Sequence, residues 1–312
     1  MTRFSGDSWY GAGLPGRGGK SKLGTWSLTM LRWFVDAYRL QTLPIAERYF
    51  RDAKSDEIVE TSLFGYRLPL QVARSNPHRL LCLQRERFIA ERYLLFDLLT
   101  PGDTVVDVGA NIGYYLLLFQ SRVGSRGRVV CIEPDPTNLE ELRRCIQVNR
   151  FDNVHILEAA IGDTRGTARI REGLNSRVLV GSTNGLAIPM ITLDELVDRN
   201  PKLVKIDIEG FEGQALCGGQ ELMKTLAPNL FIEVHPRLLE YGYSVSDVID
   251  LVRPNYKEIL FHKPGTAGSI IQKLNTRYQP GGGTEMIRSE TALLEACRSG
   301  RIVDPFWMIC KN

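Results

Sequence analysis

From residue 104 onward, short apolar runs alternate with stretches in which apolar residues recur every three or four positions. The runs are TVVDV (104–108), RVVCI (128–132), NVHIL (153–157), LVKID (203–207) and LFIEV (230–234). Helical periodicity follows most of them, at 112–122, 137–149, 211–225 and 245–252, and Thr192-x-x-Glu195 fits a capping box opening one more short helix. Continuously apolar strands that alternate with helices predict a parallel sheet covered on both faces. Right-handed crossovers make such a sheet doubly wound. Two later runs, YKEILFH (256–262) and PFWMICK (305–311), flank a helical pattern near 284–298 and extend the sheet by a terminal pair, one strand of it antiparallel. The fold class expected is α/β, with a doubly wound, mostly parallel, seven-stranded sheet.

Upstream the pattern is less regular. Residues 57–72 alternate loosely, as one or two strands would, and QRERFIAERYLLFDLL (84–99) reads as a helix closed by the breaker Pro101-Gly102. WSLTMLRWFVDAYRL places Trp26, Met30, Trp33, Phe34, Ala37 and Leu40 on one helical face. That face suits packing on the chain's own domain, a lid, an oligomer contact or a peripheral membrane contact. Residues 1–25 are rich in Gly and Ser, carry Arg3, Arg17, Lys20 and Lys22, and read as a flexible basic tail. The chain thus divides into a tail (1–25), an extension of helix and strand (26–84) and a main domain (85–312).

Composition narrows the function classes. A net charge of +3 over 312 residues is too small to argue for a nucleic-acid binder. No run approaches the roughly 18 apolar residues of a membrane span, and the start lacks a signal-peptide core. The six cysteines form no CxxC and lack histidines at ligand spacing, which points to reduced thiols, no structural zinc and a cytoplasmic protein.

In a doubly wound sheet ligands bind beyond the carboxyl ends of the strands, so the residues just after each strand carry the chemistry. The first strand ends in DVGANIG: Asp107, Gly109, Ala110, Asn111 and Gly113. Its G-x-x-x-G spacing is not that of the dinucleotide fingerprint, but it allows a tight turn before a helix N-terminus. The second ends in EPDP. Glu133 lies 20 residues beyond Gly113 (133 − 113), where an acid accepts both hydroxyls of a ribose, with Pro134 beside it. Capping the next helix falls to Asp135 or Thr137. EAAIGD (158–163) follows the third strand. Its small apolar residues Ala160 and Ile161 suit the face of an adenine, with Asp163 or a backbone amide near the edge.

KIDIEGFE closes the fourth strand. Strand alternation puts Lys205, Asp207 and Glu209 on one side, with Asp207 in the crevice facing a cationic ligand. Glu212, in the first helical turn, reads as a partner of the helix dipole. The fifth strand ends in IEVHP, where His235, oriented by Glu209 or Glu233, is the general-base candidate. Asp207, Glu209, Glu233 and His235 form an alternative divalent-metal set of hard ligands; a metal is not the primary expectation.

DVGANIG, EPDP, KIDIEGFE and IEVHP, in this order and spacing, resemble the FkbM-family methyltransferases over roughly residues 85–236. The resemblance implies a class I, Rossmann-like fold, S-adenosylmethionine as cofactor, and O-methylation of a small molecule, sugar or glycan hydroxyl. It carries Gly109, Asn111 and Gly113 to the methionine end of the cofactor, Glu133 to its ribose, and Asp207, Glu209 and His235 to the transferring methyl. Three other readings were weighed: a nicotinamide-dependent oxidoreductase, disfavoured by the G-x-x-x-G spacing; a nucleic-acid methyltransferase, disfavoured by the low net charge; and a non-catalytic scaffold, disfavoured by the intact acidic positions.

Overall fold

The computed structural model describes residues 48–84, 89–173, 175–264, 284–287, 289–300, 302 and 305–312. The basic tail and the aromatic helix expected at 26–40 lie outside them. In chain order the elements begin with a hairpin, β1 (Ile58–Leu63) and β2 (Tyr66–Gln71), paired antiparallel as the loose alternation allows. Two short helices follow, α1 (Asn76–Gln84) and α2 (Ile89–Phe96). The alternating region then gives β3 (Thr104–Val108), α3 (Tyr114–Val123), β4 (Arg128–Ile132), α4 (Pro136–Asn149) and β5 (Val154–Leu157). Next come β6 (Ala160–Ile161), β7 (Gly166–Arg171), β8 (Arg177–Val178) and β9 (Leu186–Ile191), none of which the sequence pattern predicts.

A 3-10 turn (Leu193–Arg199) carries the expected Thr192–Glu195 capping box and leads to β10 (Leu203–Ile206). The helix expected over 211–225 is two, α5 (Glu212–Cys217) and α6 (Gln220–Thr225). It breaks at Gly218-Gly219 because the chain passes so near the third-strand turn that a Cβ on Gly218 would lie 2.1 Å from the Gly162 carbonyl oxygen. β11 (Asn229–Val234), a second 3-10 turn (Pro236–Tyr241), α7 (Val245–Val252) and β12 (Glu258–Pro264) follow. The chain closes with β13 (Thr284–Ile287), α8 (Glu290–Arg298) and β14 (Phe306–Lys311).

The main sheet has the order β13-β12-β14-β11-β10-β3-β4-β5, one strand more than the seven expected, because the start of the helix predicted near 284 is a strand. The pairs β11–β10, β10–β3, β3–β4 and β4–β5 are parallel, while β14 runs antiparallel to both β11 and β12. Strand order reverses between β3 and β10, so the switch point lies at their carboxyl ends.

Successive residues of the central strands feed two separate cores. Val105, Val129, Cys131, Leu203 and Phe231 pack against α3 and the β1–β2 hairpin, with Leu68 and Leu70 of β2 fully buried. Val106, Val130, Ile132, Val204, Ile206 and Ile232 pack against α5 to α8 through Leu216, Leu222, Val248, Ile249 and Leu293. This is the doubly covered sheet that the continuous apolar runs require. β6 to β9 form a second, four-stranded sheet in the order β6-β9-β7-β8, an arm inserted between β5 and β10. All six cysteines are unpaired. Among the described residues no helix is long and apolar enough to cross a membrane.

Candidate active site

The β3–α3 loop turns on three residues of positive φ, Gly109 (78°), Asn111 (51°) and Gly113 (92°). Gly109 cannot be larger: a Cβ there would sit 2.0 Å from the Asp207 carbonyl oxygen, where the ends of β3 and β10 approach. Asn111 tolerates the left-handed conformation by bonding its Oδ1 to the Ile112 N–H at 2.8 Å. Gly113 is the N-cap of α3 and makes no side-chain cap hydrogen bond.

Glu133, just past β4, is buried. Its Oε1 accepts from the Asp135 N–H (3.0 Å) and Asn138 Nδ2 (3.0 Å), and its Oε2 accepts from the Asn111 N–H (2.8 Å). A carboxylate offers about four acceptor positions, so three donors leave room for one hydroxyl on Oε2, not the two expected. Burial pushes Glu133 up to about 7, against the pull of those hydrogen bonds. Helix capping falls to Asp135, which accepts from the N–H groups of Thr137 and Asn138.

Lys205 on β10 stands directly across from Asp107 on β3, and both point to the α3 side of the sheet. The Lys205 Nζ lies 3.1 Å from Asp107 Oδ1 and 3.5 Å from Asp207 Oδ2. It donates to the Gly109 carbonyl at 3.1 Å and sits 4.6 Å from the centre of the Tyr115 ring. Burial works against its charge, but the two carboxylates outweigh burial and hold its pKa above the usual lysine value. Asp107 is wholly buried, and its oxygens have no other partner among the described residues.

From Asp207 the chain of charges continues. Asp207 Oδ1 is 3.7 Å from His235 Nε2, and His235 Nδ1 pairs with Glu212 Oε1 at 2.8 Å. Glu212 is fully buried and also accepts the Gly210 N–H at 3.0 Å. The residue orienting His235 is therefore Glu212, not Glu209 or the Glu233 side chain; the hydrogen bond from Glu233 is through its carbonyl, at 3.1 Å. Burial disfavours the imidazolium, yet the Glu212 hydrogen bond and charge, then Asp207 and Glu233, raise His235 to about 9. A pKa raised this far favours the imidazolium at neutral pH and argues against the general-base role that the sequence suggested.

Glu209 leaves the predicted alternation. β10 ends at Ile206, and Glu209 and Gly210 both take positive φ (59° and 109°), turning the Glu209 carboxylate to Arg237 Nη1 at 3.0 Å. The alternative metal set is thereby dispersed, since Glu209 serves Arg237 and His235 serves Glu212. No group of three or more His, Cys, Asp or Glu able to hold a metal occurs among the described residues.

These ends enclose a pocket. Val108, Gly109 and Asn111 line one side, Glu133 and Pro134 the next, Ala159, Ala160 and Ile161 the third, and Asp207, Ile208, Glu209 and Phe211 the fourth. Ala110, Gly113 and His235 stand behind these walls rather than in them. The arm supplies a roof of Ile170, Asn175, Ser176, Arg177 and Val178 that the sequence reading missed. It is fastened by the Gly173 N–H to Asp135 Oδ2 (2.8 Å) and by the Tyr241 hydroxyl to the Val178 carbonyl (2.8 Å). Alternation in GTARIR, with Ala168 and Ile170 buried between exposed neighbours, was the available signal for it.

The sequence profile of the methyltransferase FkbM domain matches residues 107–259, from the end of β3 to β12. Over residues 107–259 the chain is similar to the FkbM methyltransferase domain. Such a domain is that of an S-adenosylmethionine-dependent methyltransferase. Among solved structures, the chain is similar to methyltransferase FkbM from Methylobacillus flagellatus, at 24% identity and TM-score 0.38. That alignment covers 58% of this chain and 48% of that one, so this chain spans about half the length of this relative. It is also similar to precorrin-6y C5,15-methyltransferase from Geobacter metallireducens (14% identity, 72% and 87% covered, TM-score 0.38). A putative rRNA-methylase from Clostridium thermocellum gives 11% identity, 71% and 92% coverage and a TM-score of 0.39. Comparison with curated protein sequences gives no match.

Proposed function

We propose that this chain moves a methyl group from S-adenosylmethionine to a hydroxyl of a small molecule, sugar or glycan. The reading is carried by Asp207, the pocket-facing end of a buried row of alternating charge. Asp107, Asp207 and Glu212 are three carboxylates set against two cations, Lys205 and His235. One negative charge is left over, and Asp207 is the member with exposure to the pocket. A cation is what such a site attracts.

The remaining walls fit the rest of the cofactor. Glu133 Oε2 has one acceptor position open for a ribose hydroxyl, and Pro134, Ala160 and Ile161 offer small apolar surface to a flat base. Gly109 and Asn111 line the pocket just before the N-terminus of α3, an arrangement suited to the amino-acid end. S-adenosylmethionine supplies an electrophilic methyl group on a sulfonium. As the acceptor oxygen bonds to carbon its hydroxyl becomes strongly acidic, so a carboxylate suffices to take the proton. Asp207 is placed to do so, with Lys205 and His235 holding it and Glu212 orienting His235. Glu209, paired with Arg237, lines the same wall as Asp207 and is available to the acceptor.

Calorimetric titration of S-adenosylmethionine and S-adenosylhomocysteine tests the cofactor assignment. Both should bind, and Glu133→Ala should weaken them about tenfold or more, as loss of a hydrogen bond to a charged group does. Methyl transfer to a panel of hydroxylated acceptors tests the rest: Asp207→Asn should lose turnover. Failure of the wild type to take either ligand, or full turnover by Asp207→Asn, would overturn the proposal.

A further inference from the structure

The hairpin and α1 lie before the matched domain, yet they reach the pocket through one arginine. Arg74, between β2 and α1, donates through Nη1 to Glu141 Oε1 and through Nη2 to Asn138 Oδ1, each at 2.7 Å. Glu141 is buried on α4 and is also held by His78 Nε2 at 3.0 Å, while His78 Nδ1 meets the Ser75 hydroxyl at 2.7 Å. Burial disfavours the Glu141 charge, but His78 and Arg74 together keep its pKa below the usual carboxylate value.

A guanidinium can only donate, so the end of the Asn138 amide that faces it must be the oxygen. The amide nitrogen is thereby turned to the other side, where it donates to Glu133 Oε1 at 3.0 Å. Asn138 and Glu133 are both buried, so neither has water as an alternative partner. The sequence of contacts has a direction: Arg74 sets the amide, the amide fixes Oε1, and Oε2 is left for the pocket.

We propose that Arg74 is a positioning residue for the cofactor, acting through Asn138 on Glu133, so that the segment preceding the FkbM domain is part of the ribose site. The inference rests on the reading of Glu133 as the ribose carboxylate. Without the guanidinium, Asn138 Oδ1 loses the donor that sets it, and the hold of Nδ2 on Glu133 Oε1 loosens. The hairpin is then more than a cover over α4: its docking decides whether the cofactor's hydroxyl is recognised.

The test is calorimetry with S-adenosylhomocysteine and its 2′-deoxy and 3′-deoxy analogues on the full chain. The wild type should prefer the parent compound about tenfold over at least one analogue, and Glu133→Gln should lose that preference. Arg74→Met should bring it below about threefold, and Arg74→Lys should restore it only in part, since a lysine cannot span Glu141 and Asn138 together. Leu68→Val, which loosens the hairpin core away from the relay, should lower the melting temperature and keep the tenfold preference. If Arg74→Met does not fold, Asn138→Ala reads the same relay with the Arg74–Glu141 pair left in place. Full preference in Arg74→Met or Asn138→Ala, with the loss confined to Glu133→Gln, would overturn the inference and spare the ribose reading. No preference in the wild type, or full preference in Glu133→Gln, would overturn both.

Discussion

Replacing Glu212 by Gln isolates one charge with little change of shape. In the wild type His235 is raised to about 9, and Glu212 supplies the largest upward contributions, by hydrogen bond and by charge. Against an ordinary imidazole value near 6.5, that is a shift of about 2.5 units, or roughly 3 kcal/mol at about 1.4 kcal/mol per unit. The folded-state pKa is raised, so this stabilisation is complete below about pH 6.5 and is lost as pH rises through about 9. With Glu212→Gln, burial still disfavours the imidazolium while its main partner is gone, and His235 should titrate at or below about 6.5. The variant should therefore melt roughly 6–12 °C below the wild type near pH 6.5, at about 2–4 °C per kcal/mol for a domain of this size. Above pH 9 the gap should shrink to the cost of burying an amide where Glu212 Oε2 already lacks a partner. NMR of the imidazole protons, with His235→Gln to identify the resonance, reads the pKa directly; melting curves between pH 6 and 10 read the stability. A His235 resonance that still titrates near 9 in Glu212→Gln, or a melting gap that does not change with pH, would refute the charge-row argument.

Two further outcomes follow from the same geometry. Lys205→Met leaves Asp107 and Asp207 facing each other without their shared cation, and should cost about 3–5 kcal/mol at neutral pH in urea unfolding, less at low pH where Asp107 can protonate. Gly109→Ala combines a φ of 78° with a Cβ placed 2.0 Å from the Asp207 carbonyl oxygen. It should shift the β3 and β10 ends enough to abolish S-adenosylhomocysteine binding by calorimetry even where circular dichroism shows retained secondary structure.

What could be read in advance was what repeats or sits at a strand end. β3 and β4 fall at the expected 104–108 and 128–132, and Glu133 and Asp207 reach one pocket because a doubly wound sheet aligns its carboxyl ends. What was not legible depends on partners distant in the chain. Glu212 looked like a dipole residue because its partner His235 is 23 residues away across a helix and a strand. Glu209 was assigned by strand alternation, a rule that lapses once the backbone turns left-handed. The arm was missed because two of its strands are two residues long, too short for any period to register. Arg74 carries no local signal at all, since its meaning lies in Asn138 and Glu141, 64 and 67 residues on.

Among the described residues β14 follows the other strands in sequence but lies between β11 and β12 in space. The β12–β13 pair is joined to the rest of the main sheet only through it, so during synthesis that pair has no seat until residues 306–311 have emerged. Until then the free edge of β11, an apolar strand whose Leu230 to Ile232 become fully covered, is open to pairing with another copy. Folding of this chain is thus a race between closure by its own latest strand and capture by a neighbour, and slower elongation or higher concentration tilts that race toward association.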